Sequence, residues 1–360
     1  NCLKNLIFYI KKKNVIAFFK LLIVLLFFLV LNFLKIFYSP LILLFFLSKY
    51  RFAQINYTQI GAISEHINLM FKKNFIEGYK TIFLIPSISK FNFLSKILKN
   101  QIIFDNIFLN ILLLPLKHTK LISCSMNKAD YLFDENFKLR SKTIKSDIIN
   151  NYNEKNLNCN FFELDKNFLI YMNDYFQKYF GNIDFNKTFI LHQRDNYYNL
   201  TSNLRGSDAF TYKLMIEHIL SLGFHLIRFV NKETEKFEFN SEKYIEINTD
   251  LKDEFDQNFN IKLQFYLIYV SKGLICTTSG PASIGSLFSK PVYDTNNYGP
   301  NVNSTTKEGT YILKKILYKG KILSIKDLKK FEFFEGLFSS DFKLNKLGMK
   351  VVNNTEIEIL

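Results

Sequence analysis

The sequence predicts an α/β protein in which two Rossmann-like domains follow an N-terminal hydrophobic membrane helix or hairpin. Residues 15–31, VIAFFKLLIVLLFFLVL, carry one charge in seventeen positions. Beyond residue 52, short apolar runs alternate with amphipathic stretches, as βαβ units do. The 360 residues suffice for two compact domains and an accessory segment. The expected division is a membrane anchor at 1–51, a first domain at 52–162, a second domain at 163–310 and a tail at 311–360 that packs back on the body.

The first apolar run is just long enough to span the hydrocarbon core of a bilayer, and Lys20 can extend its charge to the interface. A second run, 36–47, is interrupted by Ser39-Pro40. Lysines flank the runs on both sides, so charge does not select an orientation. Two short runs favour a hairpin or re-entrant anchor over a single crossing. We therefore expect an inner (cytoplasmic) membrane location, with the body facing the cytoplasm. Because the sequence begins with Asn1 rather than Met and stops at TEIEIL, we also expect residues to be missing at both ends of the chain.

The elements of the first domain follow from its apolar runs and glycines. A strand is predicted at 55–61, ending in Gly61, and a helix continues to Lys73. The next strand is predicted at 79–86 and the next helix at 91–100. The segment 101–160 is rich in Asn and Lys and predicts no clear element. A helix at 163–180, ending at Gly181, is expected to link the two domains.

The second domain has the clearer pattern. Asp208 is placed as the N-cap of a helix through Leu222, which Gly223 closes. A second helix is predicted at 260–272, and a third begins near Pro281, a residue that suits the first helical turn. The predicted strands are 187–195, 225–230, 243–249, 274–280 and 291–296. This alternation predicts a doubly wound sheet whose strands end on one edge.

Composition excludes some classes of function. The formal net charge is +15, but the lysines are scattered and form no block of five, which argues against a nucleic-acid groove. Anionic lipid headgroups or phosphorylated ligands are better partners for this charge. The four cysteines show no paired spacing, so neither a zinc site nor a disulfide framework is predicted.

Arginine is rare and clustered. Lysine and arginine total 47, and only five are arginine: Arg51, Arg140, Arg194, Arg205 and Arg228. Three of these fall between 194 and 228. A guanidinium offers a rigid fork of donors that grips phosphate or carboxylate in a bidentate manner, whereas lysine offers a point charge. The cluster therefore suggests anion-binding positions in the second domain.

Two predicted strands end in polar residues. The stretch LHQRDNYYN (191–199) places His192, Arg194 and Asp195 at a strand exit, where ligands bind in open α/β sheets. In CTTSGPAS (276–283), hydroxyl residues and Gly280 lead into a helix, whose N-terminus attracts anions. A solvated loop is the plain alternative for the first stretch, and ordinary helix capping for the second. If both exits lie on one edge, they predict a diphosphate site.

Motifs for other chemistry are absent. The sequence contains no G-x-x-x-x-G-K-[ST] phosphate loop, no G-x-G-x-x-G fingerprint and no D-x-D. These are the signatures of common nucleotide sites and of the metal clamp for nucleotide-sugars. The histidines outside the strand exit, His66, His118, His218 and His225, lack ligand spacing. We therefore predict neither a metal nor a cofactor.

Three stretches, FILHQRDNYYN, LRGSDAFTYKLMIEHILSLGFHLIRF and CTTSGPASIGSLFSKPVY, resemble a bacterial family of glycosyltransferases assigned by similarity. Its members carry H-x-R-D, an R-N-x-D-like segment before a helix, a G-x-x-V-I-R strand and a late T-S-G turn. The match runs from about residue 55 into the tail. The family is of the GT-B type and is similar to fucosyltransferase-like enzymes. The resemblance implies metal-independent sugar transfer from a nucleotide-sugar donor.

The resemblance also implies site residues. Arg194 would hold the donor diphosphate, and His192 would shape or hydrogen-bond its pocket. The whole implied donor site comprises His192, Arg194, Arg205, Asp208, Arg228, Thr278, Ser279 and Gly280. Asp195 and Glu65 are the candidate catalytic bases for an acceptor hydroxyl. Gly206 stands where the family usually has Asn, and Ala62 stands where it has a histidine after the glycine.

The predicted function is that of a membrane-associated glycosyltransferase acting on a glycan or lipid-linked acceptor in surface polysaccharide synthesis. The expected partners are the nucleotide-sugar donor, that acceptor and the membrane, without nucleic acid. The alternative is a non-catalytic, membrane-tethered GT-B-like partner within a glycan assembly complex. The missing family histidine at Ala62 favours this alternative.

Overall fold

The computed structural model describes residues 47–54, 60–85, 93–99, 101–104, 122–124, 162–194, 206–230, 236–248, 258–277, 279–297, 309–324, 326–327 and 347–360, with isolated positions before residue 47. The two apolar runs at 15–31 and 36–47 lie almost entirely outside this set, and the predicted anchor lies there with them. Among the described residues, no helix combines the length and the hydropathy needed to cross a bilayer.

The first domain is built on a parallel sheet. Its elements are β1 (Tyr50–Gln54), α1 (Ile60–Ile76), β2 (Lys80–Leu84), α2 (Leu94–Ile97), β3 (Leu98–Lys99), β4 (Ile102–Phe104) and β5 (Ile122–Cys124). The sheet order is β4-β2-β1-β5, and every pairing in it is parallel. The strand order therefore reverses between β1 and β5, and α1 begins just beyond that point.

The strand predicted at 55–61 is wrong at its end, because residues 60 and 61 lie in the first turn of α1, and residues 55–59 lie outside the described residues. The described strand before this helix is β1, which the sequence did not predict. The sequence of β1 does not show the apolar alternation typical of a strand, because Arg51 is a buried residue within it. Its guanidinium donates to the carbonyls of Ser48 (3.1 Å) and Tyr50 (2.7 Å) and lies 3.6 Å from the Tyr79 ring centroid. These contacts satisfy the buried cation.

The helix predicted at 91–100 is confirmed over Leu94–Ile97 and wrong at Leu98–Lys99, and residues 91, 92 and 100 lie outside the described residues. Only one turn forms, α2, and Leu98 then adopts an extended conformation with φ −89° and ψ 111°. Leu98 and Lys99 pair antiparallel with Leu164 and Glu163. Tertiary pairing overrides the local helical pattern here.

The second domain contains β6 (Glu163–Leu164), α3 (Lys166–Phe180), β7 (Thr188–His192), α4 (Lys213–Ser221), β8 (His225–Val230), β9 (Tyr244–Asn248), α5 (Phe259–Val270), β10 (Gly273–Cys276), α6 (Gly280–Leu287), β11 (Val292–Asn297) and β12 (Thr310–Leu313). Single 3-10 turns at Phe185–Lys187 and Ala209–Tyr212 precede β7 and α4. The main sheet has the order β12-β11-β10-β7-β8-β9 with every pair parallel. The predicted α/β class is confirmed, and the strand order reverses between β7 and β10.

The cap at Asp208 and the glycine stops predicted for this domain are confirmed, whereas the helix predicted at 163–180 begins only at Lys166, because Glu163 and Leu164 form β6. The Asp208 carboxylate accepts a hydrogen bond from the Phe210 N–H at 3.0 Å and caps the turn that leads into α4. Gly223 follows that helix with φ +84°, a conformation that glycine adopts without steric cost. Gly181 follows α3 in the same way, with φ +78°.

The tail forms a small antiparallel sheet and a last helical turn. Its elements are β13 (Lys315–Tyr318), β14 (Lys321–Ile322), β15 (Met349–Val352) and α7 (Glu356–Ile359), and the sheet order is β14-β13-β15. Ile359 is buried in a cluster with Tyr212 and Ile216. Asn296 and Asn354 form two hydrogen bonds with each other. The Asn296 N–H donates to Asn354 Oδ1 at 3.0 Å, and the Asn354 N–H donates to Asn296 Oδ1 at 2.7 Å. The tail thus packs on the second domain.

The two domains meet along α1 and α6. One hydrophobic cluster runs from Ala53 and Phe83 of the first domain to Leu274 of the second. The helices touch at their first turns, because a Cβ on Gly61 would lie 2.8 Å from the Gly280 Cα. Two turns along α1, Asn68 Nδ2 donates to the Ser286 carbonyl at 3.2 Å. The absence of side chains at both glycines permits this close crossing.

Replacing Gly61 with alanine is expected to lower the free energy of unfolding by about 1–3 kcal/mol, because the new methyl group would meet backbone that cannot rotate away. Chemical denaturation of the full chain measures this change. Ser64→Ala is the matched control, since Ser64 lies one turn along the same face and is fully buried. Its hydroxyl has no partner among the described residues, so its loss is expected to be neutral or stabilising. Equal stability of the two variants would contradict the steric account.

Candidate ligand site at the strand-order reversal

The two polar strand exits meet side by side. His192 and Cys276, the last residues of β7 and β10, are register partners. Beyond them, the Thr277 N–H donates to the His192 carbonyl at 3.1 Å. The Arg194 N–H then donates to Thr277 Oγ1 at 3.1 Å. The backbones of the H-x-R segment and of the turn before α6 are therefore tied together at the reversal point, where α/β sheets bind ligands.

We call the place where residues 192–194 meet residues 276 and 277 the junction, and the N-terminus of α6 lies there. Ser279 is the N-cap residue, with φ −150° and ψ 170°, and its side chain does not cap the helix. Its Oγ is buried and finds no hydrogen-bond partner in the described part of the chain. The first-turn N–H groups of a helix have no intrahelical acceptor and carry a partial positive charge. The exit therefore presents donors suited to an anion.

His192 contributes a neutral ring. Burial, helped by the positive charge of Arg194, lowers the pKa of His192 to about 4. At neutral pH the imidazole thus offers one donor and one acceptor. Its Nδ1 is buried and has no partner among the residues described. A ligand group that hydrogen-bonds to this nitrogen would satisfy it.

The first domain brings a second helix N-terminus to the same place. Because Gly61 contacts Gly280, α1 begins beside the first turn of α6. Each helix follows the carboxyl edge of its own parallel sheet at a reversal point. Glu65, partly exposed, lies one turn beyond Gly61 on the same face of α1. The candidate base from the first domain is thus near the junction, and its catalytic role stays a prediction.

Arg228 has a different position from the one the resemblance implies. It is the register partner of Leu191, so it lies on the face of the sheet opposite to His192. The side chain is fully buried and donates to Glu246 Oε1 at 2.8 Å and to Gln193 Oε1 at 3.1 Å. Glu246 compensates the charge of Arg228. The hydrogen bond from Arg228 to Gln193 orients the end of β7 from the face opposite to His192. We correct the predicted diphosphate contact to this positioning role.

The segment around Asp208 is anchored to the same exit. Gln193 Nε2 donates to the Ser207 carbonyl at 2.8 Å, and the Ser207 N–H donates to the Arg194 carbonyl at 2.9 Å. Asp208 therefore follows a residue bonded to Arg194, and its carboxylate is exposed. The structure shows its capping bond, and the donor contact remains a prediction. Three predicted site residues, Asp195, Arg205 and Thr278, lie outside the described residues.

Sequence reasoning missed Gln193, Thr277 and Glu246. Gln193 occupies the variable position of H-x-R, yet strand alternation places it on the face of Leu191, the register partner of Arg228. Thr277 is one of several hydroxyl residues in its turn, but it is fully buried and links the two exits. Glu246 interrupts the apolar pattern of β9, and an isolated carboxylate in such a strand indicates a cationic partner. In the part of the chain that the structure describes, no cluster of histidine, cysteine and carboxylate residues could hold a metal ion.

Comparison with family models gives no match, and neither does comparison with curated proteins. Solved structures with some likeness include the family 9 glycosyl transferase from Veillonella parvula, at 12% identity and a TM-score of 0.46, covering 84% of this chain and 96% of that one. Another is the ADP-heptose LPS heptosyltransferase II of E. coli, at 8% identity and a TM-score of 0.44, covering 75% and 91%. At these values the similarity assigns neither a family nor an activity.

Proposed function

We propose that this protein is a membrane-associated glycosyltransferase that moves a sugar from a nucleotide-sugar donor to a glycan or lipid-linked acceptor in surface polysaccharide synthesis. The observation that carries the proposal is the junction at the strand-order reversal. There, Arg194 and the start of α6 are joined through Thr277. Sugar transfer leaves negative charge on the departing diphosphate, and oriented donors and cations that await this charge accelerate the reaction.

The proposed roles follow from position. Arg194 and the first turn of α6, with Ser279, neutralise the diphosphate. His192 donates or accepts a hydrogen bond as a neutral ring. Arg205 and Thr278, which the structure does not describe, complete the donor site in the proposal. Either Asp195 or Glu65 removes the proton of the acceptor hydroxyl.

The location of the reaction follows from the apolar N-terminal runs. We propose that residues 15–31 and 36–47 hold the protein at the inner (cytoplasmic) membrane, with the two domains on the cytoplasmic side. A lipid-linked acceptor in that membrane would approach the junction from the first domain, which carries Glu65.

A second candidate function is a non-catalytic, membrane-tethered partner in a glycan assembly complex. The observation that favours it is Ala62, which replaces the family histidine in the first turn of α1. Such a protein would keep the diphosphate site and lose turnover.

The decisive experiment uses the full chain purified in detergent. Calorimetry with a panel of nucleoside-diphosphate sugars is expected to find at least one ligand. Transfer assays with lipid-linked acceptors are expected to show sugar incorporation. Binding without turnover would support the non-catalytic partner, and absence of binding across the panel would contradict both functions.

A further inference from the structure

A row of three residues crosses the rim of the second sheet beside the junction. His192 is the register partner of Cys276, and Cys276 is the register partner of Asp294 in β11. Register partners in a parallel sheet direct their side chains to the same face. Asp294 therefore shares a face with His192, two strands away, at the level where β7 and β10 end.

The geometry of α6 and β11 indicates that the first turn of α6 lies over Asp294. The middle of α6 packs on β11, because a Cβ on Gly285 would lie 2.8 Å from Val292 Cγ2. Asp294 is two residues nearer the carboxyl edge, about 6.6 Å along the strand. Gly280 is five residues nearer the start of the helix, about 7.5 Å along its axis. Because α6 runs antiparallel to β11, both displacements point towards the carboxyl edge of the sheet. This geometry places Asp294 beneath Gly280.

Only one oxygen of the Asp294 carboxyl has a partner in the described structure. The residue is 2% exposed, and its Oδ2 accepts a hydrogen bond from Asn297 Nδ2 at 2.9 Å. Its Oδ1 is buried and has no partner among the described residues, as is also true of His192 Nδ1 and Ser279 Oγ. Buried polar atoms are nearly always satisfied. Three such atoms around one helix start indicate a ligand with several hydrogen-bonding oxygens.

The carboxyl is mostly protonated at neutral pH. Burial raises the pKa of Asp294 to about 8. Its titratable neighbours in the register rows are His192, which is neutral, Cys276, whose thiol pKa is also raised by burial, and Tyr311 of β12. Helix α6 contains no titratable residue. A neutral acid donates a hydrogen bond where a carboxylate would repel an anion.

We propose that Asp294 contacts the bound diphosphate below the first turn of α6, with Oδ1–H donating to a phosphoryl oxygen. This inference rests on the proposed function, because it takes the ligand of that site to be a nucleoside diphosphate. It adds a residue that neither the motifs nor the family resemblance indicated. It also predicts that the site binds the diphosphate best while the Asp294 carboxyl is protonated.

The test is calorimetry of the full chain with ADP, GDP, UDP and inorganic pyrophosphate. Asp294→Ala is expected to weaken binding about 10-fold or more, because it removes a hydrogen bond to a charged group. Asp294→Asn retains an N–H donor of similar shape and is expected to bind within about 3-fold of the unmodified protein. Asp184→Asn and Asp184→Ala are the controls, because Asp184 caps the turn at the opposite edge of β7. Neither control is expected to alter affinity.

A pH series separates a ligand contact from a structural role. Above about pH 7.5 the terminal phosphate of a nucleoside diphosphate is almost fully ionised, so a change in affinity there reports on the protein. The unmodified protein is expected to lose about 10-fold in affinity as pH rises through 8, when Asp294 ionises, and Asp294→Asn is expected to remove that loss.

Two outcomes would overturn the contact: unchanged affinity in Asp294→Ala, whether or not the melting temperature of that variant falls, or no binding of any of the four probes. Nucleotide binding with the predicted Asp294 effects but no sugar transfer would refute the proposed enzyme and leave this contact standing.

Discussion

Replacing Arg228 with alanine is expected to lower the free energy of unfolding by about 3–5 kcal/mol, the usual cost of breaking a buried ion pair by removing one partner. The guanidinium is fully buried against Glu246, whose side chain is 16% exposed, and it lies 4.2 Å from the Phe237 ring centroid. Its loss leaves a carboxylate with little access to water. Urea denaturation of the full chain measures the change.

The double variant Arg228→Met with Glu246→Leu is the control. Replacing both charges by apolar groups removes the unpaired carboxylate, so much of the lost stability is expected to return. Tyr244 donates its hydroxyl to Glu246 at 2.6 Å, and that bond is also lost in the double variant, which makes the recovery incomplete. If Arg228→Ala abolished nucleotide binding and left stability unchanged, the positioning role would be wrong and the implied diphosphate contact would be restored.

Replacing Arg194 with alanine is expected to weaken nucleoside-diphosphate binding about 100-fold, because each hydrogen bond from a guanidinium to an anion contributes about 1.5–3 kcal/mol. The bond that joins the strand exits is expected to survive, since it comes from the backbone N–H of residue 194 to Thr277. Stability is therefore expected to change by less than about 0.5 kcal/mol. Calorimetry gives the affinity, and denaturation gives the stability.

Two variants sharpen this prediction. Arg194→Lys keeps the charge without the planar fork and is expected to bind with intermediate affinity. Lys187→Ala removes one positive charge at the opposite end of β7, where Lys187 is exposed. It controls for the general attraction between a basic protein and an anionic ligand. An unchanged affinity in Arg194→Ala would show that the diphosphate does not bind at this exit.

The junction also explains why two domains are used for one site. Each sheet supplies the start of one helix, α1 or α6, and Gly61 and Gly280 let these starts touch. In the proposed function, a ligand bound at the start of α6 lies next to the first domain, from which the acceptor approaches. The close crossing makes the relative placement of the domains part of the site.

Much of the second domain was determined by the sequence alone. The limits of β8, His225–Val230, match the prediction residue for residue, and the Asp208 cap and Gly223 stop are where their local chemistry requires them. Apolar periodicity, caps and glycine turns act over a few residues, so a short window contains the information. The polar strand exits at 191–194 and 276–280 were recognisable for the same reason.

Only the tertiary structure decided which of these residues share a face and which segments meet. Register places Asp294 on the face of His192 and Arg228 on the opposite face. The pairing of Leu98 with Leu164 ended a predicted helix, and the contact of Gly61 with Gly280 joins residues far apart in the chain. Such contacts depend on packing between distant segments, and neither periodicity nor capping carries information about them. The sequence therefore determined the elements and the polar exits, and the fold determined the site that they form.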